Sequence, residues 1–219
     1  MIEREVENER QLALLRKRLV DGVDRLRLTL PANAIDKLMD YVALLARWNQ
    51  AYNLTAIRDQ EQMITHHLLD SLAIANYVNG PRVLDMGTGP GLPGIPLAIA
   101  LPEISFVLLD SNGKKTRFLV QAKSGLGLAN VEVVHSRVED YQPDLGFNTI
   151  TARAFASLET MLARSRHLCA SAGRYLLMKG RLPKDELGEI PAGFKVRETL
   201  ALKVPGVEAE RHLIIISPR

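Results

Sequence analysis

The sequence has a single cysteine, Cys169, and so no internal disulfide. That absence argues against a stapled secreted fold and for a reducing cytosol. Aromatic residues make up only 5%, and Trp48 is the one tryptophan, so few side chains are available to stack on a base. No apolar run approaches the roughly 18 residues needed to span a bilayer. The opening residues are charged throughout, unlike a secretory signal. Neither sign of charge dominates, and the net charge of +3 permits an RNA partner without demanding one. There is no internal repeat and no low-complexity linker. Glycine is not abundant at 15 residues, yet Gly87, Gly89, Gly91 and Gly94 crowd into one short stretch.

That stretch, Arg82 to Ile95, organises the chain. An apolar run precedes it and an apolar helical run, Ile95 to Leu101, follows it. Strand, glycine loop and helix in that order form a nucleotide-type binding unit. Glycine permits positive φ and lets a ligand approach without a Cβ in the way. The helix behind offers free N–H groups and a partial positive charge. Gly89-x-Gly91-x-x-Gly94 with Asp110 downstream fits a dinucleotide. S-adenosylmethionine fits better. Asp85, at the mouth of the loop, would repel a pyrophosphate and attract the cationic amino-acid end of that cofactor. Pro90 and Pro93 also remove two backbone donors that a pyrophosphate would use.

With 219 residues the chain makes one domain with a helical appendage, large enough to bury a core without staples. The spacing of Leu12, Leu15, Leu19 and Leu26 predicts an amphipathic helix over residues 5–27. A second helix, about 32–49, carries Ile35, Leu38, Val42 and Leu45 on one stripe and ends at Trp48-Asn49. Trp48 and Tyr52 read as core packing ahead of a base-stacking pair. Asp59 opens a third helix that runs to about Tyr77, with Met63, Ile64, His67, Leu68, Ser71 and Leu72 facing inward. His66 and His67 are adjacent, and neighbours on a helix point about 100° apart. They do not suit a metal, and the sequence points to none. Asn79-Gly80-Pro81 turns the chain into the organising strand.

Ile104 to Asp110 reads as a second buried strand, which makes a βαβ unit with a parallel sheet. Asp110 at its carboxyl end could accept both ribose hydroxyls of an adenosine, or cap the next helix together with Ser111. Lys114, Lys115 and Arg117 open that helix, against the helix dipole; they read equally as phosphate-binding groups or as a solvated basic face. Val131 to Val134 is a third strand. Val138 and Glu139 follow it, where an adenine edge would lie. Phe147 to Ala152 is a fourth, and it delivers Arg153 to the reaction crevice, or to an ion pair with Asp85 or Glu139. Leu158 to Leu168 is helical, and Cys169 reads as a small core residue of that run. Gly173 to Arg181 is a strand with Lys179 and Arg181 at its carboxyl end. Two more strands, Phe194 to Val204 and Arg211 to Ser217, close the sheet as an antiparallel pair about Pro205-Gly206.

This order of elements resembles the class I S-adenosylmethionine-dependent methyltransferases: Rossmann-like, α/β, mostly parallel, closed by an antiparallel hairpin. The motifs go further. Trp48-Asn49, Asn53-Leu54-Thr55, His67 to Leu72, Asp85 to Pro96, Asp110-Ser111, Lys114-Lys115, Ser136 to Glu139 and Arg153-Ala154-Phe155-Ala156-Ser157-Leu158 together resemble one family. It is the bacterial ribosomal RNA small subunit methyltransferase G family, also called glucose-inhibited division protein B. The resemblance runs from about Ile35 to Ile216. It implies methylation of N7 of one guanine, position 527, in 16S ribosomal RNA. It implies S-adenosylmethionine as cofactor, S-adenosylhomocysteine as product, and cofactor contacts at Gly87, Leu92, Val138, Glu139 and Arg153. Asp85, Gly89, Gly91 and Asp110 join that set from the reading of the loop. Residues 1–56 are expected to form a helical extension packed on a methyltransferase domain of residues 57–219.

The chemistry agrees with what the motifs lack. No Asn/Asp-Pro-Pro-aromatic motif, used to methylate amino groups, follows the fourth strand. Guanine N7 has an in-plane lone pair and no proton, so no general base is expected and catalysis is a matter of alignment. Lys114, Lys115, Arg117, Lys179 and Arg181 are expected to form a phosphate-binding rim. The partner is 16S RNA or the small ribosomal subunit, and the enzyme is expected to be a cytoplasmic monomer. Three rivals remain: a nicotinamide-dependent oxidoreductase, a non-catalytic RNA-binding assembly factor that keeps the fold, and a class I methyltransferase acting on a small molecule.

Overall fold

A computed structural model describes residues 2–153 and 157–219. The Ala154-Phe155-Ala156 part of the Arg153 motif lies outside the described residues.

The first helix, α1 (Ile2–Arg25), buries Leu15, Leu19 and Val23 at a spacing of four. Leu12, expected on that stripe, is 56% exposed. The second, α2 (Ala34–Tyr52), buries Leu38, Val42 and Leu45. It does not end at Trp48-Asn49. It continues to Tyr52 and stops at Asn53, which adopts the left-handed conformation with φ of 49°, a conformation Asn tolerates better than most residues. Asn49 is therefore free to serve the following loop. Its Oδ1 accepts the Thr55 N–H (2.8 Å) and its Nδ2 donates to the Ile57 carbonyl (3.1 Å).

Asp59 caps the next segment as expected, its carboxylate accepting the Gln62 N–H at 2.8 Å. The segment is not one regular helix. It runs as α3 (Gln60–Met63), a π-turn (Ile64–Leu69), α4 (Asp70–Leu72) and a 3₁₀ turn (Ala75–Tyr77). The π-turn widens the helix where His67 and Asp70 are buried. Such turns recur at functional sites.

Seven strands form one sheet: β1 (Arg82–Met86), β2 (Ser105–Asp110), β3 (Val131–His135), β4 (Phe147–Arg153), β5 (Cys169–Lys179), β6 (Phe194–Ala201) and β7 (His212–Pro218). Their order is β3-β2-β1-β4-β5-β7-β6. The first five are parallel, and β7 runs antiparallel to both β5 and β6. Strand order reverses between β1 and β4, and ligands of open α/β sheets bind at such a switch point. The β6–β7 connection is longer than a tight turn, because pairing starts at Ala201 opposite His212. Cys169 is not helical. It opens β5, half-buried, and burial pushes its thiol up to about 11.

Helices α5 (Gly94–Ala100) and α6 (Gly113–Gly125) cover one face of the sheet, and α7 (Leu158–Ser165) and α8 (Lys184–Gly188) flank the other. Strand alternation explains the division. Val83, Phe106 and Leu108 point to the first face; Leu84, Val107 and Leu109 point to the second. The buried side chains of α1 and α2 belong to the same apolar core as Val83 and Phe106. The N-terminal helices thus complete one face of the sheet. Each such fully buried Leu is worth about 2 kcal/mol.

Candidate active site

The glycine loop begins at Asp85, and its structure corrects the expectation for that residue. Asp85 is fully buried below the loop and is absent from the wall of the cavity above it. Its Oδ2 accepts the Thr88 hydroxyl and the Gly94 N–H (2.8 Å), and its Oδ1 accepts the Thr151 hydroxyl (3.1 Å). These bonds tie both ends of the loop to β4. Burial pushes the carboxyl up to about 6, against the three hydrogen bonds that hold it down. Gly91 is a second correction. Its φ of +98° requires glycine, and a Cβ there would lie 2.4 Å from Ile95 Cδ1 and 3.0 Å from Leu119. Gly91 therefore faces α5 and α6, away from the cavity.

The cavity, of about 630 Å³, opens over the carboxyl ends of β1, β2, β3 and β4. Gly87, Gly89 and Leu92 form its loop side. Asp110 forms the floor, with Val138 and Glu139 on one flank and Arg153 at the β4 edge. Asp110 Oδ2 accepts the Gly89 N–H (2.9 Å) and Oδ1 accepts the Asn112 N–H (2.8 Å). Each oxygen keeps a lone pair for a ligand. Neither Asp110 nor Ser111 caps α6. Asn112 does, its side chain accepting the Lys114 N–H at 2.9 Å. Lys115, expected on the RNA rim, instead turns into this cavity with Nζ 3.8 Å from Asp110. The Glu139 carboxylate meets Arg164 at 2.9 Å, and both are exposed. Arg164 and Asn112 also line the cavity and were not foreseen; only the Asx-type N-cap pattern at Asn112 could have been read in advance.

Arg153 leaves the end of β4 between two cavities and lines both. Its Nη1 donates to the His66 carbonyl (3.0 Å) and to Asp70 Oδ2 (3.3 Å). Asp70 is thus its acidic partner, in place of Asp85 or Glu139. Arg211 Nε reaches the other Asp70 oxygen at 2.9 Å. Neighbouring His67 bonds Thr55 Oγ1 through Nε2 at 2.9 Å, and burial, with Arg153 adding to it, pushes the imidazole down to about 4. The second cavity, of about 470 Å³, lies on this side of Arg153. Asp70 lies within the His67 to Leu72 motif, but the helical spacing does not place it on the inner face, where the structure buries it. Nothing in the sequence marked Arg211, which arrives from 141 residues away.

Of the five basic residues expected on a rim, Lys114, Arg117 and Arg181 are exposed. Lys179 is mostly buried and pairs with Glu186 at 3.0 Å. Trp48 is half-buried, lying edge-on to Phe118 and 5.1 Å from the ring of Tyr52, which is exposed. Trp48 thus packs against the core, with Tyr52 beside it at the surface.

The chain matches the family model "rRNA small subunit methyltransferase G" over residues 34–214. It is 52% identical over 201 residues to ribosomal RNA small subunit methyltransferase G of Nitrosococcus oceani, covering 92% of this chain and 94% of that one. Against the Pseudomonas aeruginosa protein of the same name it is 51% identical over 199 residues, covering 90% and 93%. Among solved structures it resembles an S-adenosylmethionine-dependent methyltransferase from Aquifex aeolicus, with a TM-score of 0.56 and 17% identity over 75% of this chain and 96% of that one. It also resembles the glycopeptide N-methyltransferase MtfA in complex with S-adenosylhomocysteine, with a TM-score of 0.60 and 11% identity over 70% and 87%. At those identities the two structures speak for the fold, a class I methyltransferase architecture. The sequence relatives go further, and the chain belongs to the rRNA small subunit methyltransferase G family.

Proposed function

We propose that the protein transfers the methyl group of S-adenosylmethionine to N7 of one guanine in 16S ribosomal RNA, as a cytoplasmic monomer. The observation that carries this reading is the cavity at the switch point of the sheet, with the glycine loop above it and Asp110 at its floor. Its donor and acceptor set fits the cofactor. The two Asp110 oxygens suit ribose hydroxyls. The side chains of Leu109 and Val138 suit an adenine face, and Glu139 suits its amino edge. Gly87, Gly89 and Leu92 bring backbone close to the amino-acid end, and Arg153 suits its carboxylate. When bound, S-adenosylmethionine supplies an electrophilic methyl group on a sulfonium.

Two features favour N7 over an acceptor that must lose a proton. Asp70, the carboxylate nearest Arg153, is held by two arginines. His67, held near pKa 4, is a weak base at neutral pH. Asp70 is occupied by these pairs, His67 is poorly equipped to take a proton, and N7 gives none up. The residues are left to align the acceptor and exclude water, which is an orientation effect. Family membership weighs against the nicotinamide reading, and a complete ligand cavity weighs against a non-catalytic assembly factor.

The test is methyl transfer from labelled S-adenosylmethionine to small ribosomal subunits that lack the modification, followed by mapping of the label. Label at N7 of a single guanine is the expected result. Cofactor binding with label elsewhere would refute the assigned acceptor.

A further inference from the structure

We propose that the N-terminal helices are part of the cofactor site: the buried hydroxyl of Tyr41, on α2, holds the glycine loop in the shape that receives the cofactor. The proposal rests on the reading of the first cavity as the S-adenosylmethionine site. Tyr41 is a positioning residue, because it is absent from the cavity wall and acts through the loop.

Tyr41 is fully buried, and 49 residues separate it from the loop in sequence. A phenol is costly to bury unless its hydroxyl is bonded. This hydroxyl donates to the Pro90 carbonyl at 2.8 Å. Burial pushes the phenol well above its usual range, so the group stays a donor at any working pH. Pro90 is buried too, and it lines the cofactor cavity. It stands between Gly89 and Gly91, both at positive φ. A loop with glycine on either side has little steric restraint of its own, so hydrogen bonds must hold it.

Those bonds come from two sides. On the sheet side, the Leu109 carbonyl accepts the Thr88 N–H at 3.1 Å. The carboxylates of Asp110 and Asp85 accept the N–H groups of Gly89 and Gly94. Tyr41 instead takes hold of a carbonyl, from the side of the helices. The Pro90–Gly91 peptide is thereby fixed at both ends, because the Gly91 N–H donates to the Thr88 carbonyl at 3.0 Å. The Tyr41 ring also packs 6.3 Å from that of Phe118 on α6. That helix carries Lys115 into the same cavity. One side chain of α2 therefore meets both the loop and the helix that wall the cofactor space.

The experiment compares Tyr41→Phe with Val23→Ala, both in the full chain, with the stability of each measured by urea denaturation. Phenylalanine keeps the ring against Phe118, and the buried Pro90 carbonyl loses the Tyr41 donor. Val23→Ala removes packing from the same apolar core, on α1. Tyr41→Phe should weaken S-adenosylmethionine binding by about 10-fold, read by calorimetry. KM for the cofactor should rise in step, with kcat and the KM for unmodified small subunits within about twofold of the parent. Amide exchange of residues 87–94, read by mass spectrometry, should quicken by about fivefold or more. Val23→Ala should lower stability yet leave cofactor affinity and loop exchange within about twofold of the parent. Parental cofactor affinity in Tyr41→Phe would overturn the proposal. An equal loss of affinity in Val23→Ala would overturn it too, since any weakening of the core would then suffice. Should the parent itself not bind S-adenosylmethionine, the cofactor reading of the cavity fails and this proposal falls with it. A parent that binds beside an unaffected Tyr41→Phe sinks this proposal alone.

Discussion

Asp85→Asn separates a loop-building acid from a cofactor-binding one. The Asp85 carboxyl sits about two units above its usual value because burial outweighs three hydrogen bonds. Its folded value is about 6 and its unfolded value is 3.8. Between those values the folded state holds the proton that the unfolded state has released. Stability from this group is therefore greatest below the unfolded value and falls as pH rises towards 6. Two units correspond to about 3 kcal/mol in all, of which about 2 kcal/mol falls between pH 4.5 and pH 8. Asparagine removes that dependence and keeps the geometry. Its oxygen can accept from Thr88 and Gly94, while its amide donates to Thr151 Oγ1. The Thr151 hydroxyl can then turn to the Leu84 carbonyl, already 3.3 Å away. The variant should fold and bind S-adenosylmethionine within about threefold of the parent. Measured by urea denaturation, its stability relative to the parent should rise by about 2 kcal/mol from pH 4.5 to pH 8. A tenfold or greater loss of cofactor affinity with the fold intact would show that the charge meets the cofactor, and would refute the reasoning.

Asp110→Asn cannot satisfy its surroundings, because both carboxylate oxygens accept backbone N–H groups. Its amide must face one of those donors, and cofactor affinity should fall by about 10- to 100-fold, read by calorimetry. Gly91→Ala should cost about 3 kcal/mol in denaturant unfolding, since the side chain meets both a positive φ and Ile95. RNA binding should weaken with salt, and Lys114→Ala and Arg117→Ala should each lower the log–log slope by about one. Lys115→Ala should instead weaken cofactor binding, because its ammonium faces Asp110.

The sequence by itself determined whatever rests on local periodicity and on backbone conformation. The strand–glycine loop–helix unit, the acid at the end of β2, the Asp59 cap and the alternating apolar faces of the sheet all follow from residues a few positions apart. The parallel sheet followed from them, because a strand, a helix and a strand of these lengths pair that way. Motif spelling carried the family, since the loop string and the segment opening at Arg153 are long and specific. Tertiary structure decided which polar groups are spent on the fold and which face a ligand. Asp85 and Asp110 both lie near the carboxyl ends of strands beside the loop, yet one is buried under Gly94 and the other faces the cavity. That difference lies in the packing of α5 on the sheet, which no local pattern encodes. Lys114 and Lys115 are neighbours with opposite surroundings for the same reason. Asp70, Arg153 and Arg211 meet only because α4, the end of β4 and the start of β7 converge at one end of the strands. Contacts between residues 83 and 141 positions apart are set by topology, and that is where the boundary between the two cavities is made.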